Sequence, residues 1–326
     1  MKKLLGIVSL AALALGAFAE TPKPLQSFVD KLSSSDSVSA KYTVTATDGS
    51  SDSYTVVLAK SGMARIETPE RVLTSDGDTI TVLIRKTGQY FKKPYSKDEI
   101  SKMLKGDALI IWASFLEKTA LTSKTATAKA AVKRKGKDMT PVDVVLDGKG
   151  KVLTLLFEKT KGDLGQATLA VKSAKGTNTR VIDLESLKFG DVVSADTVAM
   201  KLPGNAKEIS EDDLIASTWY TSLDEALEIA AATDRPILVD FFATWCGPCK
   251  MLDAQVFSTS SFKDFSKGFV LCRIDVDEQP DIAQKFNIEA MPTTIVLNSS
   301  GSELGRFLGF MPAAEYISEV KKISGK

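Results

Sequence analysis

The chain contains no histidine. That absence removes Ser-His-Asp and Cys-His nucleophile arrangements, along with every His-ligated metal site. Cysteine is scarce as well: Cys246, Cys249 and Cys272 are too few and too clustered to staple a small disulfide framework. Neither charge sign is in excess, with 42 Lys/Arg against 41 Asp/Glu. Beyond Phe18 no apolar run approaches the ~20 residues that a spanning helix needs. Any chemistry must therefore use carboxylates, lysines, hydroxyls or the three thiols. What remains is ordinary for a globular protein: 326 residues, 44% apolar, 21 Gly and 11 Pro. At about 150 residues per domain, this length predicts roughly two domains.

The first residues read as an address. Lys2-Lys3 precede an apolar run from Leu4 to Phe18, which ends in Ala17-Phe18-Ala19 before Glu20-Thr21. A basic start, a short apolar core and an A-x-A end predict a cleaved secretory signal peptide over residues 1–19. The rival reading is a retained anchor, and the run is short for one. No cysteine follows Ala19 to carry a lipid. Export places the mature chain in a periplasmic compartment, where thiols can be oxidised.

A charge seam divides the remainder. Residues 20–200 carry a net +6 and residues 201–326 a net −7. The change falls at Lys201-Leu202-Pro203-Gly204-Asn205, which is followed by a polar stretch. The expected organisation is one domain over 20–205, a linker over 206–213 and a second domain over 214–326.

The first domain reads as mostly strand. Val, Thr, Tyr and Ile dominate short runs at 42–47, 54–59, 63–68, 80–85, 142–146, 152–158 and 167–172. Turn signals stand at Ser75-Asp76-Gly77-Asp78 and Asp147-Gly148-Lys149-Gly150. Leu25–Leu32 and the apolar stretch Leu104–Leu121 read as helices, which predicts antiparallel strands with helix against one face. The run Lys124, Lys129, Lys133, Arg134, Lys135 and Lys137 could meet anionic lipid or acidic partners, but such runs are usually solvated. No aromatic interleaves it, so nucleic acid is not an expected partner.

Several short stretches of this half resemble the LolA-like family of periplasmic half-barrels, which hold acyl chains or lipidated proteins. They are Leu25-Gln26-Ser27, Val29 to Ser34, Ala64-Arg65-Ile66-Glu67-Thr68-Pro69, Leu73 to Gly77, and the closing Leu202-Pro203-Gly204-Asn205-Ala206. The resemblance implies an α+β antiparallel half-barrel and a lipid or lipoprotein ligand. It departs where the lipoprotein carriers have Lys-Arg-Pro and this chain reads Lys60-Ser61-Gly62.

From Ser217 the texture alternates between helix and strand. Ser222-Leu223-Asp224-Glu225 is a capping box that opens a helix through Ala232. Ile237 to Ala243 is an apolar run broken only by Asp240, the pattern of a central strand covered on both faces. Trp245-Cys246-Gly247-Pro248-Cys249-Lys250 follows it directly. Strands are expected at 270–276, 294–297 and 303–308, with a closing helix at 313–323.

Residues 214–326 resemble the α/β thioredoxin fold. Ile237 to Lys250 carries the family's strand and active-site signature, and Met291-Pro292-Thr293 its cis-proline loop. The insert from Val256 to Phe265 and the step Gly309-Phe310-Met311 look more like the C-terminal periplasmic domain of the reductant conductor DsbD. The resemblance implies thiol–disulfide exchange without metal or organic cofactor. Cys246 would be the nucleophile, Cys249 the resolving thiol and Cys246–Cys249 the redox disulfide. Asp240 would accept the proton of Cys249, Pro292 would shape the client loop, and Arg273 stands where many thioredoxins carry a lysine. Trp245, Gly247, Pro248 and Lys250 complete the motif.

The placement agrees with elementary chemistry. Two cysteines two residues apart at a helix start can close a small ring, and the helix N-terminus favours thiolate at the first of them. Other readings stay open: half of a zinc site, a structural disulfide, a merely structural Asp240, or an ordinary turn at Pro292. Cys272, in mid-strand, reads as core packing. The expected function is an exported reductase of client disulfides, fed by a membrane electron donor of the DsbD or CcdA type. The alternatives are a disulfide-forming oxidant, or a hydrophobic-ligand carrier with an accessory redox domain.

Overall fold

The structure, a computed structural model, describes residues 20–146, 150–173 and 176–325. The expected signal peptide and most of the turn at 147–150 lie outside the described residues. The chain divides into two compact units. The first runs to Pro69 and adds Leu73–Asp78 and Tyr95–Ala199; the second comprises Glu70–Val72, Thr79–Pro94 and the chain from Met200 on.

In the first unit, helix Lys23–Ser34 forms because Leu25, Phe28, Val29 and Leu32 recur at three- and four-residue spacing and are all buried. The sheet runs in the order Met63–Glu67, Ser51–Ala59, Ser37–Thr45, Gly176–Phe189, Leu164–Ser173, Lys151–Glu158, Lys137–Val145 and Ala126–Ala128. It is a large, mostly antiparallel sheet, and no closed barrel forms among the described residues. The turn at Ser75–Asp78 is made with Gly77 at φ 104°, a left-handed value that favours glycine.

Two expectations for this unit need correction. The stretch at 104–121 is not one helix: helix Lys97–Leu104 ends at Lys105-Gly106, a 3₁₀ segment covers Asp107–Phe115, and a short helix covers Thr119–Thr122. Leu109, Ile111, Trp112, Ala113 and Phe115 are all buried. The run is apolar on every side, so it lacks the one-faced stripe that distinguishes an α-helix from other buried segments. The second correction is the 14-residue strand Gly176–Phe189, where no strand was expected. Arg180, Asp183, Glu185 and Lys188 interrupt it and Ile182 is its buried apolar residue, so periodicity gave little signal there. The lysine run lies on and around the strands Ala126–Ala128, Val132–Arg134 and Lys137–Val145. It carries solvated ion pairs: Lys129–Asp143 at 3.2 Å, Lys135–Asp183 at 2.9 Å and Lys137–Glu158 at 2.9 Å.

The second unit is built on a five-stranded sheet ordered Trp219–Tyr220, Val270–Asp275, Ile237–Phe242, Thr293–Leu297 and Glu303–Leu308. The first three strands are parallel and the last two antiparallel. Ile237–Phe242 is central and covered on both faces. Ile237, Val239 and Phe241 pack on one side with helix Leu223–Thr233. Leu238 packs on the other with Leu252, Val256, Phe262, Tyr316 and Val320. Ser222 caps helix Leu223–Thr233 by accepting the Glu225 amide at 3.3 Å, while the Glu225 carboxylate meets Arg71. Residues 206–213, expected as a linker, hold structure of their own. Lys207–Glu208 pairs in parallel with Gln89–Tyr90, and helix Glu211–Ser217 begins there with Lys93 on Glu211 at 2.8 Å.

Candidate redox site

The strand Ile237–Phe242 delivers the chain to Cys246, which is the N-cap of helix Gly247–Leu252. Pro248 sits in the first turn, where its fixed φ suits a helix and its missing N–H costs nothing. Cys246 and Cys249 are joined in a disulfide with Cα atoms 5.3 Å apart. The Cys249 amide donates to Cys246 Sγ at 3.2 Å. In the reduced protein the same amide and the helix N-terminus favour negative charge on that sulfur. Both cysteines pack with Ala243, Phe242, Val276 and Met291, an apolar lining.

Around the disulfide, Trp245 is 65% exposed and its Nε1 donates to Asp277 Oδ2 at 2.8 Å, which fixes the indole. The Met291–Pro292 peptide is cis. The Pro292 carbonyl accepts the Gly309 amide at 2.8 Å, tying that loop to the edge strand. Gly247 and Lys250 lie on the helix itself, with the Lys250 residue exposed.

Asp240 is fully buried, on the face of strand Ile237–Phe242 that carries Leu238. Arg273, its neighbour in register on the adjacent strand, donates through Nε to Asp240 Oδ2 at 3.0 Å. The guanidinium also pairs with Asp253 at 2.9 Å and lies 4.1 Å from the centre of the Phe242 ring. Burial raises Asp240 from 3.8 to about 6, against the pull of Arg273. Its second oxygen, Oδ1, is buried and has no hydrogen-bond partner among the described residues. The site thus combines a dithiol pair at a helix start with a buried acid that titrates near neutrality and has one oxygen free to take a proton. Cys272 is elsewhere: it packs on the opposite face of the sheet, and burial pushes its thiol up to about 12.

Sequence reasoning missed Asp253 and Asp277, which act on the site through Arg273 and Trp245. Asp253 lies three residues after Lys250 and begins a π-helical turn, Asp253–Phe257, a local geometry that no residue pattern announces.

The thioredoxin family model matches residues 219–322. Thioredoxin-2 of Saccharomyces cerevisiae is 38% identical over 97 residues, covering 30% of this chain and 89% of that protein. The thioredoxin of Echinococcus granulosus is 42% identical over 85 residues, covering 26% of this chain and 76% of its own length. The thioredoxin of Mycoplasma pneumoniae is 37% identical over 105 residues, covering 32% and 98%. Through these residues the chain belongs to the thioredoxin family of redox proteins.

Proposed function

We propose that this protein is an exported protein-disulfide reductase working through Cys246 and Cys249. The carrying observation is that Cys246 is the helix N-cap and its sulfur accepts the Cys249 amide at 3.2 Å. In the reduced form, the Cys246 thiolate attacks one sulfur of a client disulfide. A Cys246–client bond forms, the client bond breaks, and the second client sulfur leaves as thiolate and takes a proton. Cys249 then gives its proton to Asp240 Oδ1, through a water, and attacks Cys246 Sγ. The client leaves reduced, and the two electrons it gained are those lost in forming Cys246–Cys249. A dithiol donor must return them, and a membrane partner of the DsbD or CcdA type fits an envelope location. The reducing direction is supported by Gly247-Pro248, the dipeptide of the reducing thioredoxins, and export by the basic-apolar-A-x-A start.

The test is a trap. Cys249→Ser leaves Cys246 able to attack but removes the resolving thiol, so reductant-sensitive adducts between client and protein accumulate in envelope extracts. Cys246→Ser gives none. If Cys249→Ser traps nothing under conditions in which the parent reduces a test disulfide, the mechanism is wrong.

A further inference from the structure

Asp240 stands in a row of polar side chains that crosses an otherwise apolar sheet face. On strand Ile237–Phe242 it shares its face with Leu238, since alternate residues point the same way. Its registered neighbours are Arg273 on one side and Thr294 on the other. Thr294 is 1% exposed, and directly opposed residues of antiparallel strands have Cβ atoms roughly 5 Å apart. Over the same face lies helix Ala313–Ser324, whose fully buried Tyr316 places its hydroxyl 3.0 Å from Thr294 Oγ1. Three buried polar groups, Asp240, Thr294 and Tyr316, therefore lie together among Leu238, Leu252, Leu271 and Val296. Buried polar groups are costly unless partnered. Two of the three are partnered with each other, and the third keeps Oδ1 bare.

We propose that Thr294 and Tyr316 are positioning residues that hold Oδ1 of Asp240 through both of its protonation states. The structure has Thr294 Oγ1 on Tyr316 and Oδ1 bare; a small turn of Thr294 about χ1 that keeps the Tyr316 hydroxyl in reach completes the row. When Asp240 is charged, Tyr316 O–H donates to Thr294 Oγ1 and Thr294 O–H donates to Asp240 Oδ1. When Asp240 carries the proton, its O–H donates to Thr294, and Thr294 O–H donates to the Tyr316 oxygen. The Tyr316 hydroxyl stays protonated throughout, because burial and the nearby Asp240 charge push it well above its usual value. Arg273 occupies the other oxygen and is itself held by Asp253, so the row is fixed at both ends. Besides Arg273, the charged group that bears on Asp240 is Asp253, which pairs with the same guanidinium.

This inference rests on the reading of Asp240 as proton acceptor, and the experiment separates the two. In the reduced full-length protein, the Asp240 carboxyl is titrated by carbon NMR, and the pH profile of insulin reduction is measured in parallel. Tyr316→Phe keeps the ring contacts and Thr294→Val keeps the shape; each removes a donor from the charged state. The titration midpoint is expected to rise by about half a pH unit or more in Thr294→Val, as loss of one hydrogen bond to a carboxylate requires, and by less in Tyr316→Phe, which removes only the bond to Thr294. The acid limb of turnover should move with it, and Thr294→Ser should restore the parent midpoint. Midpoints unmoved in both folded variants overturn the role of the hydroxyl pair. If Asp240→Asn retains the parent acid limb, the proton-acceptor reading fails instead, and the proposal with it.

Discussion

Asp240 ought to make the protein less stable, and by an amount that depends on pH. Burial raises the native carboxyl to about 6, against 3.8 for a free aspartate, because it penalises the charged form. Between about pH 4 and pH 6 the folded chain therefore keeps a proton that the unfolded chain has lost, and stability falls as pH rises through that window. At 1.36 kcal/mol per pH unit, the step from 3.8 to about 6 corresponds to about 3 kcal/mol. Asp240→Asn has the same shape and does not titrate. Arg273 is not orphaned by the change, since Asp253 still holds it at 2.9 Å and Phe242 still lies under it. A constant offset from the buried amide is allowed for by comparing the two proteins at both ends of the window. The variant's stability relative to the parent should therefore improve by about 2 kcal/mol between pH 4, where the unfolded carboxyl is already half ionised, and pH 8, on the order of fiftyfold in the folding constant. Urea titrations read from the NMR amide signals of strand Ile237–Phe242 report on the unit concerned. A difference that stays constant from pH 4 to pH 8 would refute the reasoning, because it would mean that the folded and unfolded carboxyls titrate alike.

Two further outcomes follow from the same geometry. Iodoacetamide at pH 8 should label Cys246 in the reduced protein and leave Cys272 unmodified until denaturant is added, since that thiol is buried and raised to about 12; native-state labelling of Cys272 at a comparable rate would contradict its placement as core. In a glutathione titration, a reductase should hold Cys246–Cys249 largely oxidised in mildly oxidising buffer. A dithiol that stays reduced there would assign the protein to disulfide formation.

The cysteines were legible because their chemistry is local: spacing, a preceding apolar strand and a proline in the first turn lie within a dozen residues. Asp240 was legible for the same reason, as a single acid in an apolar run. The residues around it were not, because each reaches the site across the sheet. Thr294 is near in space to Asp240 only once Asp240↔Thr294 and Asp240↔Arg273 are in register, and Tyr316 only once the closing helix lies on that face. The signal was nonetheless present in part. Thr293-Thr294 open an otherwise apolar strand, and a polar residue on the inward face of each of two neighbouring strands is a pair in search of a register. The first unit shows the converse. Six strand runs there were read from their Val, Thr, Tyr and Ile content, several with alternation, but Gly176–Phe189 was not, since Ser37–Thr45 and Leu164–Ser173 on either side of it supply the pairing that its own side chains do not announce. Leu25, Phe28, Trp112 and Phe115 are buried in that unit, with the Phe28 ring 5.7 Å from Phe157 and the Trp112 ring 5.9 Å from Tyr42. Short family-like stretches there indicate what packs on the sheet, whereas a claim about what the sheet carries needs a site. In this chain a site with stated chemistry begins at Cys246, and the buried row from Arg273 to Tyr316 links that chemistry to the fold.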